Sequence, residues 1–577
     1  LDRMGLPAPD LSALRTGEYV APRNPREQKL AAIFAEVLKV EPVGVNDSFF
    51  HLGGHSLLAT RLISRVRAEL KVELAMRTIF EAPTVADLAE RLEQARTARP
   101  ALEAGPRPER IPLSYAQERL WFISEHLAGH ELAYNVPPLA LPFAGPFDPE
   151  AMRRAFAQLV ARHESLRTTF RVLDPERPEE PSQVIAPTLA LEVPLVEMVG
   201  PDGKDHLEKH FQHQFDLAAG PLLKVVILKR GAMDHVLLIN LHHIISDAWS
   251  VEIMLRELLR LYLAERMGQN PRLEPLKVQY ADYACWQRRQ DLAPDLAYWK
   301  SVLAGFQDWA ALPYGRPSPL PTSWGGQMTR RRYSKRLAKN LAVLSNQQES
   351  TLFMTLTAAL LVLLHRRTGR TDLCVWTTVA GREDLQLEDV VGFFATLLPL
   401  RVDLGQDPSG AEIVRRVKAV TLKGFEHYLL PFEHLLKCMN LDHNDRRNAL
   451  VPIVVRHQNF ASEHLKGWTR GADAIDRLRR PHVSGGPSPA DADPVHPASS
   501  TLLPRMMWSE LDFQFFGDGN ELETLVEYDG NRFDAPTIEQ LLEQHERVLE
   551  ELVADPSRPL RQLRGIRSEE PDRPCPG

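Results

Sequence analysis

The sequence predicts a multidomain protein in which a small all-α helical bundle precedes a much larger, two-lobed α/β domain. Three observations lead there. The chain has 577 residues, more than one hydrophobic core spans, and length alone points to three or four compact units. Over residues 26–95 apolar side chains recur at helical spacing, whereas from 111 to 565 helical stretches alternate with β-branched runs of strand length. Between them, RTARPALEAGPRPER at 96–110 combines proline, glycine and charge as an interdomain linker does.

The elements follow in order. Residues 1–25 look like the close of a preceding domain and a linker: Pro7 and Pro9 in LDRMGLPAPD open no fold, so the chain reads as an excised piece. From Arg26 the residues Leu30, Ile33, Phe34, Val37 and Leu38 make one amphipathic stripe. A second helix begins at Ser56 (SLLATRLISRVRAEL). A third follows Pro83, with Thr84 as its cap and Val85, Leu88, Ala89 and Leu92 on one face, and the bundle ends near Gln94. In the larger domain the spacing predicts one lobe over 111–290 and a second over 291–565, joined near 290–320, with a cleft between them as the default site. Asp148 and Pro149 supply the cap and first-turn proline of a helix running through AMRRAFAQLVARHESL. KVVILKR and HVLLINLHH flank a turn at Gly231–Asp234 and read as paired strands. Residues 462–499, rich in Gly, Pro, Asp and Ser, are expected to be a disordered insertion, and 566–577 a C-terminal tail.

Composition excludes several classes. Apolar content of 44%, 25% charged residues and a net charge of −7 give no global attraction to nucleic acid or to anionic membranes. RLRR at 477–480 is a local, solvated run. There is no apolar run of about 18 residues and no charged-then-apolar leader, so no membrane contact and a cytoplasmic location are expected. Cys285, Cys374, Cys438 and Cys575 are widely spaced without a CxxC, which suits reduced thiols and neither a disulfide framework nor a metal site. A monomer is expected.

Two stretches carry chemistry. HHIISDAWS (242–250) ends the second of the paired strands. Side chains alternate faces along a strand, so His242 and His243 cannot share one cavity; one packs, and their divergence argues against a metal site. Asp247 precedes the amphipathic WSVEIMLRELL, where its ordinary role is an N-cap or a buried ion pair. NDSFFHLGGHSLLAT (46–60) places Gly53, Gly54 and His55 before Ser56, which opens a helix; in isolation Ser56 would be an ordinary N-cap.

The whole of NDSFFHLGGHSLLAT, on a bundle of this length, resembles the peptidyl carrier domains of nonribosomal peptide synthetases, and LDRMGLP resembles the closing motif of an adenylation domain. The resemblance implies that Ser56 receives 4′-phosphopantetheine from coenzyme A through a phosphopantetheinyl transferase. A helix N-terminus suits the phosphodiester, Gly53 and Gly54 would keep its approach clear, and His55 would shape the surface met by partners. Seven further stretches, LSYAQERLWF, RHESLRTTF, HHIISDAWS, QYADYACW, VGFFATLLPLR, HYLLPFEHLL and RRNALVPIVVRHQN, resemble in order the motif series of condensation domains. That family implies two chloramphenicol acetyltransferase-like lobes in a V, with a tunnel between them. It implies His243 as the catalytic histidine and His242 as structural, Asp247 as an architectural residue paired with Arg382 of VAGRED, and Trp249 at the helix entry.

The implied reaction joins an acyl thioester on Ser56 to the amine of an aminoacyl group on a downstream carrier, with adenylation domains upstream and downstream as further partners. Subtype features (SYAQERLWF, HHIISDAWS, LGGHS) look like domains that accept an L-configured donor, and no DxxxxD replacement points to heterocyclisation. Two departures stand out: HYLLPFE for the usual HQDxPFE, and Ala248 where the family has glycine. Ala248 leaves open a recruitment module that has lost its chemistry. Epimerisation, ester formation and acyl transfer from free coenzyme A are also open to a chain of this fold.

Overall fold

The computed structural model describes residues 19–54, 56–92, 96–97, 102–126, 135–136, 139–177, 180–197, 210, 213–306, 326–382, 384–431, 435, 451–458, 469–470, 509–517 and 520–563. The helical unit comes first. Helix α1 (Pro25–Leu38) starts where Asn24 accepts a hydrogen bond from the Glu27 amide and Pro25 presets the first turn. Helices α2 (Ser56–Leu70), α3 (Met76–Glu81) and α4 (Val85–Arg91) follow, the last capped by Thr84 through the Asp87 amide. Leu30, Phe34, Phe49, Leu62, Val66, Ile79, Val85 and Leu88 close the core. Four helices stand where periodicity predicted three, because the six residues of α3 are under two turns and carry no readable period. A short strand β1 (Val72–Glu73) pairs with β2 (Arg96–Thr97).

The first lobe is built on a five-stranded sheet and a three-stranded one. The smaller holds β3 (Ile111–Pro112), β5 (Thr168–Val172) and β6 (Pro181–Ile185). In the larger, β4 (Leu139–Ala144), β9 (Asp234–Leu241), β8 (Leu223–Gly231) and β7 (Leu195–Glu197) lie side by side. Helices α5 (Tyr115–His126), α6 (Pro149–Arg162), α7 (Ala248–Met267) and α8 (Tyr280–Gln287) belong to this lobe. Met152, Phe156 and Leu159 of α6 and Met254, Leu258 and Leu261 of α7 share one core with Val225, Leu237, Ile239 and Leu241 of the sheet. Asp148 caps α6 through the Ala151 amide, with Pro149 in its first turn.

Helix α9 (Ala293–Leu303) leads to the second lobe, whose six-stranded sheet runs β10 (Gly326–Arg332), β16 (Leu522–Asp529), β15 (Ser509–Gly517), β13 (Val451–Gln458), β11 (Asp372–Val379), β12 (Thr396–Asp403). Its helices are α10 (Lys335–Gln347), α11 (Leu352–Thr368), α12 (Gly410–Glu426) and α13 (Ala535–Ala554). Among the described residues no single helix is long and apolar enough to cross a membrane. α10 and α11 pass that test only as a pair bent by 102°, and α11 is a core helix, buried from Met354 to Leu364.

The segment expected to be a disordered insertion needs one correction. Most of 462–499 lies outside the described residues, but Thr469 and Arg470 form strand β14, antiparallel to Leu139 and Ala140 on the edge of the first lobe's sheet. Chain that leaves the second lobe after β13 therefore completes a sheet of the first. An exposed edge with unpaired backbone groups accepts such a strand whatever its composition.

Candidate functional site

Strand β9 is buried on both faces, and its register with β8 carries Leu241 opposite Leu223. The strand stops at Leu241. His242 remains extended, and a 3₁₀ turn over His243–Ile245 begins at the next residue. The two rings thus diverge because the backbone turns between them, where the sequence argument invoked alternation within a continuous strand. His242 is 1% exposed; its Nδ1 accepts a hydrogen bond from the Ile244 amide at 3.1 Å, and Phe215 meets it edge-on. Burial, and then the neighbouring His243, push its pKa down to about 3. His243 is only half-buried, lies 5.8 Å from the Phe393 ring, and hydrogen-bonds through Nδ1 to the Ser246 carbonyl at 3.1 Å. A carbonyl only accepts, so Nδ1 carries the proton and Nε2 carries the lone pair of the neutral ring.

Asp247 combines both roles its position allowed. Oδ1 accepts from the Ser250 amide at 2.7 Å, capping α7, and from Arg382 Nη2 at 3.2 Å; Oδ2 accepts from the Phe394 amide at 3.1 Å. Arg382 donates further to the carbonyls of Leu387 and Val390 and to Ser250 Oγ, with its guanidinium 4.0 Å from the Phe394 ring centre. Asp247 is 4% exposed and Arg382 5%, so the pair is a fully desolvated clamp between the two lobes. Burial lowers the guanidinium's pKa and Asp247 opposes it. Ala248 is the first residue of α7, is exposed, and lies outside the left-handed backbone region. Trp249 donates from its indole nitrogen to the Glu388 carbonyl at 3.0 Å.

Several residues of this assembly were not singled out from sequence. Ser250 Oγ donates to the Gly392 carbonyl and accepts from the Gly392 amide. A Cβ on Gly392 would meet the Tyr280 ring at 1.8 Å, and Gly381, at φ +66°, brings Arg382 in where a Cβ would meet the Phe394 carbonyl at 2.3 Å. Ser114 joins Tyr280 at 2.7 Å, and Gln117 donates to the Ile244 carbonyl beneath the histidine turn. The RHESLR stretch is an anchor: Arg162 and the fully buried His163 both meet Glu257 of α7. Position within a motif was the only available signal, since, apart from Gly381 and Phe394, the partners lie about a hundred residues or more apart in sequence.

A solvent-open cleft of about 440 Å³ lies beyond Phe393, lined among others by Tyr115, Arg119, Tyr283, Phe394, Tyr428 and Leu429. Tyr428 and Leu429 are the residues by which HYLLPFE departs from its family pattern. His427 just before them hydrogen-bonds Asp295 of α9 at 2.7 Å and stacks on Tyr298 at 4.0 Å, so it fastens α9 to the second lobe.

In the helical unit, α2 begins at Ser56 after a turn in which Gly53 has φ +94° and open space around a Cβ position. Gly54 differs from the expectation that both glycines clear the approach: a Cβ there would meet the Phe49 ring at 2.3 Å, so its missing side chain serves packing. His55 lies outside the described residues. The N-terminus of a 15-residue helix suits a phosphodiester, because first-turn amides have no partner within the helix itself, and the open space at Gly53 leaves room beside it. Among the described residues no three His, Cys, Asp or Glu side chains gather as a metal site.

Comparison with known proteins identifies the families of both units. Residues 28–92 match the family model "Phosphopantetheine attachment site" and 108–573 match "Condensation domain". The dimodular nonribosomal peptide synthase of Bacillus subtilis is 36% identical over 583 aligned residues, covering 99% of this chain but 23% of the relative. Malpibaldin synthetase of Mortierella alpina is 32% identical over 588 residues, covering 99% of this chain and 10% of the relative. The chain thus spans less than a quarter of the length of either synthetase. Among solved structures, the complex of the X-domain and OxyB from teicoplanin biosynthesis aligns with a TM-score of 0.67 at 27% identity, over 81% of this chain and 98% of that one. The first condensation domain of the calcium-dependent antibiotic synthetase in complex with a substrate analogue aligns with a TM-score of 0.59 at 19% identity, over 79% and 99%, which shows the fold.

Proposed function

The chain belongs to the condensation-domain family, amide-bond-forming acyltransferases, and carries the carrier domain of a nonribosomal peptide synthetase in front of it; from that premise we propose that it transfers the acyl group held on Ser56 to an amine presented by a downstream carrier. Ser56 is the residue a phosphopantetheinyl transferase modifies with coenzyme A, and the bound arm supplies the thioester. The observation that carries the reading is the tautomer fixed at His243. With Nδ1–H donated to Ser246, Nε2 is the nitrogen that accepts a proton from the attacking amine, or holds the amine in line. The amine forms the new C–N bond, the C–S bond breaks, and the ammonium proton passes to Nε2 or to the departing thiolate. An α-amine with a pKa of about 7.7–8.0 is already partly neutral near pH 7.5, so positioning and stabilisation of the tetrahedral intermediate share the work.

The Asp247–Arg382 clamp acts on architecture: it fixes the start of α7 and, through the turn, His243. His242 is packing. The donor is an L-configured residue, as SYAQERLWF, HHIISDAWS and LGGHS suggest. Adenylation domains before and after the chain, and the downstream carrier, are its partners.

A second reading has one observation in its favour. The X-domain whose structure aligns with this chain is a complex with OxyB, and a protein-recruiting role here would tolerate Ala248. His243 with its Ser246 hydrogen bond and the complete clamp favour catalysis. Intact-protein mass spectrometry separates the two. A transferase with coenzyme A adds one arm to the wild type and none to Ser56→Ala. The loaded protein, given an acceptor aminoacyl thioester, then yields an amide product whose formation requires His243. No product from a fully loaded wild type would overturn the catalytic reading.

A further inference from the structure

Residues 384–390 (DLQLEDV) belong to no strand; they form a 3₁₀ turn at Leu385–Leu387, capped by Asp384. What holds the segment is a set of contacts on two sides. Toward the helical unit, the Leu385 amide donates to Ser64 Oγ at 2.8 Å, and Glu388 pairs with Arg61 at 2.7 Å; both partners lie on α2, three residues apart and so on one face. Arg61 also lies 5.8 Å from the Trp249 ring. Close by, Lys418 of α12 sits 5.6 Å from the Phe80 ring of α3. The linker takes part: Gln386 donates to the Leu102 carbonyl at 2.6 Å, and Leu102, 1% exposed, packs with Leu387, Val390, Tyr280 and Phe394. Toward the reaction centre, the Leu387 and Val390 carbonyls accept from Arg382 Nη1, and the Glu388 carbonyl accepts from Trp249.

We propose that segment 384–390 reads the seating of the chain's own carrier and passes it to the active site: the side that grips α2 through Arg61 and Ser64 is continuous with the carbonyls that hold Arg382, and through it Asp247 and the His243 turn. Glu388 is a positioning residue for the reaction, acting through Arg382, and the surface around it takes one partner, the α2 face of this carrier. Ser56 lies five residues before Arg61, about 7.5 Å along the helix axis. A seated carrier therefore delivers its arm beside the same element that sets the clamp. An undocked carrier leaves the outer side of the segment in solvent and the two carbonyls less firmly placed. The inference rests on Ser56 bearing the arm, but the docking contacts themselves do not need the arm.

The test uses the full chain and a charge exchange. Hydrogen–deuterium exchange of the unloaded protein is followed in peptides covering 60–66 and 384–390, and the single-turnover condensation rate is measured after loading, at saturating acceptor. Arg61→Glu is expected to raise exchange in both peptides and lower the turnover rate about fivefold or more, the lower end of coupling between sites. The double variant Arg61→Glu with Glu388→Arg is expected to restore both, with the melting temperature unchanged throughout. Unaltered exchange in Arg61→Glu overturns the docking surface; lost protection with a wild-type turnover rate overturns the coupling. Ser56→Ala separates the premise from the inference, since it abolishes turnover and leaves the exchange pattern as in wild type.

Discussion

The start of α2 and the end of β9 are both places where a regular element begins or stops, yet they are assembled differently. Ser56 is placed by its immediate neighbours: the turn through Gly53, the packing of Gly54 on Phe49, and the helix that follows. His243 is placed by residues spread from Gln117 to Phe394, in both lobes, through Asp247, Ser250, Arg382 and Gly392. A site of the first kind can lose its chemistry with its fold untouched. In the second kind chemistry and stability are joined, because the groups that orient the histidine also hold the lobes together. All nine tryptophans lie beyond residue 120, so tryptophan fluorescence reports the condensation domain alone.

That comparison breaks or sharpens in four places. The largest effect is expected at Asp247. In Asp247→Asn the amide cannot accept from the Ser250 amide, Arg382 and the Phe394 amide together, and a buried guanidinium loses its counter-charge; about 3–5 kcal/mol of stability should go. Urea denaturation followed by tryptophan fluorescence measures it, while arm addition at Ser56 should proceed as in wild type. A stable Asp247→Asn protein with no turnover would instead make Asp247 a direct participant. Next, His243→Ala should lower single-turnover condensation roughly 10²-fold or more, equivalent to about 2.7 kcal/mol in the barrier, with a near-wild-type denaturation midpoint. His242→Ala should do the reverse, and an exchange of those two outcomes would invert the assignment of the rings.

The third place is acid. His242 and His545 are buried with pKa values pushed down to about 3 and about 4, chiefly by burial. The unfolded chain takes up protons on both near pH 6.5 while the folded chain does not, so stability falls as the pH drops below about 6.5, until each folded-state value is reached. Each ring contributes about 1.4 kcal/mol per pH unit in that window. The fluorescence-detected midpoint should therefore decline from pH 7 to pH 5, and His242→Asn should flatten the slope by one ring's share. An unchanged slope would mean His242 is not held neutral by burial. The smallest effect is expected at Ala248. An exposed first-turn residue outside the left-handed region needs no glycine for its backbone, so Ala248→Gly should change turnover less than about tenfold, under 1.4 kcal/mol. Absent product from wild type and robust product from Ala248→Gly would show a disabled site.

Much of the molecule is legible in the sequence, for local reasons. The caps at Thr84 and Asp148, the hairpin of β8 and β9, and Asp247 at the start of α7 all follow from residues within a few positions of one another, where backbone and side-chain chemistry act directly. Asp247 with Arg382 came from the family resemblance, and the structure joins them at 3.2 Å. Helix α3 was missed because six residues carry too little period, and β14 because the edge of another lobe, not its own composition, makes it a strand. The anchoring role of His163 was illegible for a similar reason: its partner Glu257 lies far along the chain.

The sequence by itself determined the carrier helices, the strand pair ending in two histidines, and the serine at a helix start, because hydrophobic period, caps and glycine turns are short-range causes. Tertiary structure alone decided that His242 is sealed and neutral, that Gly392 is required by the Tyr280 ring, and that one irregular segment touches both α2 and Arg382. Each of those depends on which distant group fills the space next to an atom. That is settled only when two lobes and a carrier pack together, burying charges that must then find one another.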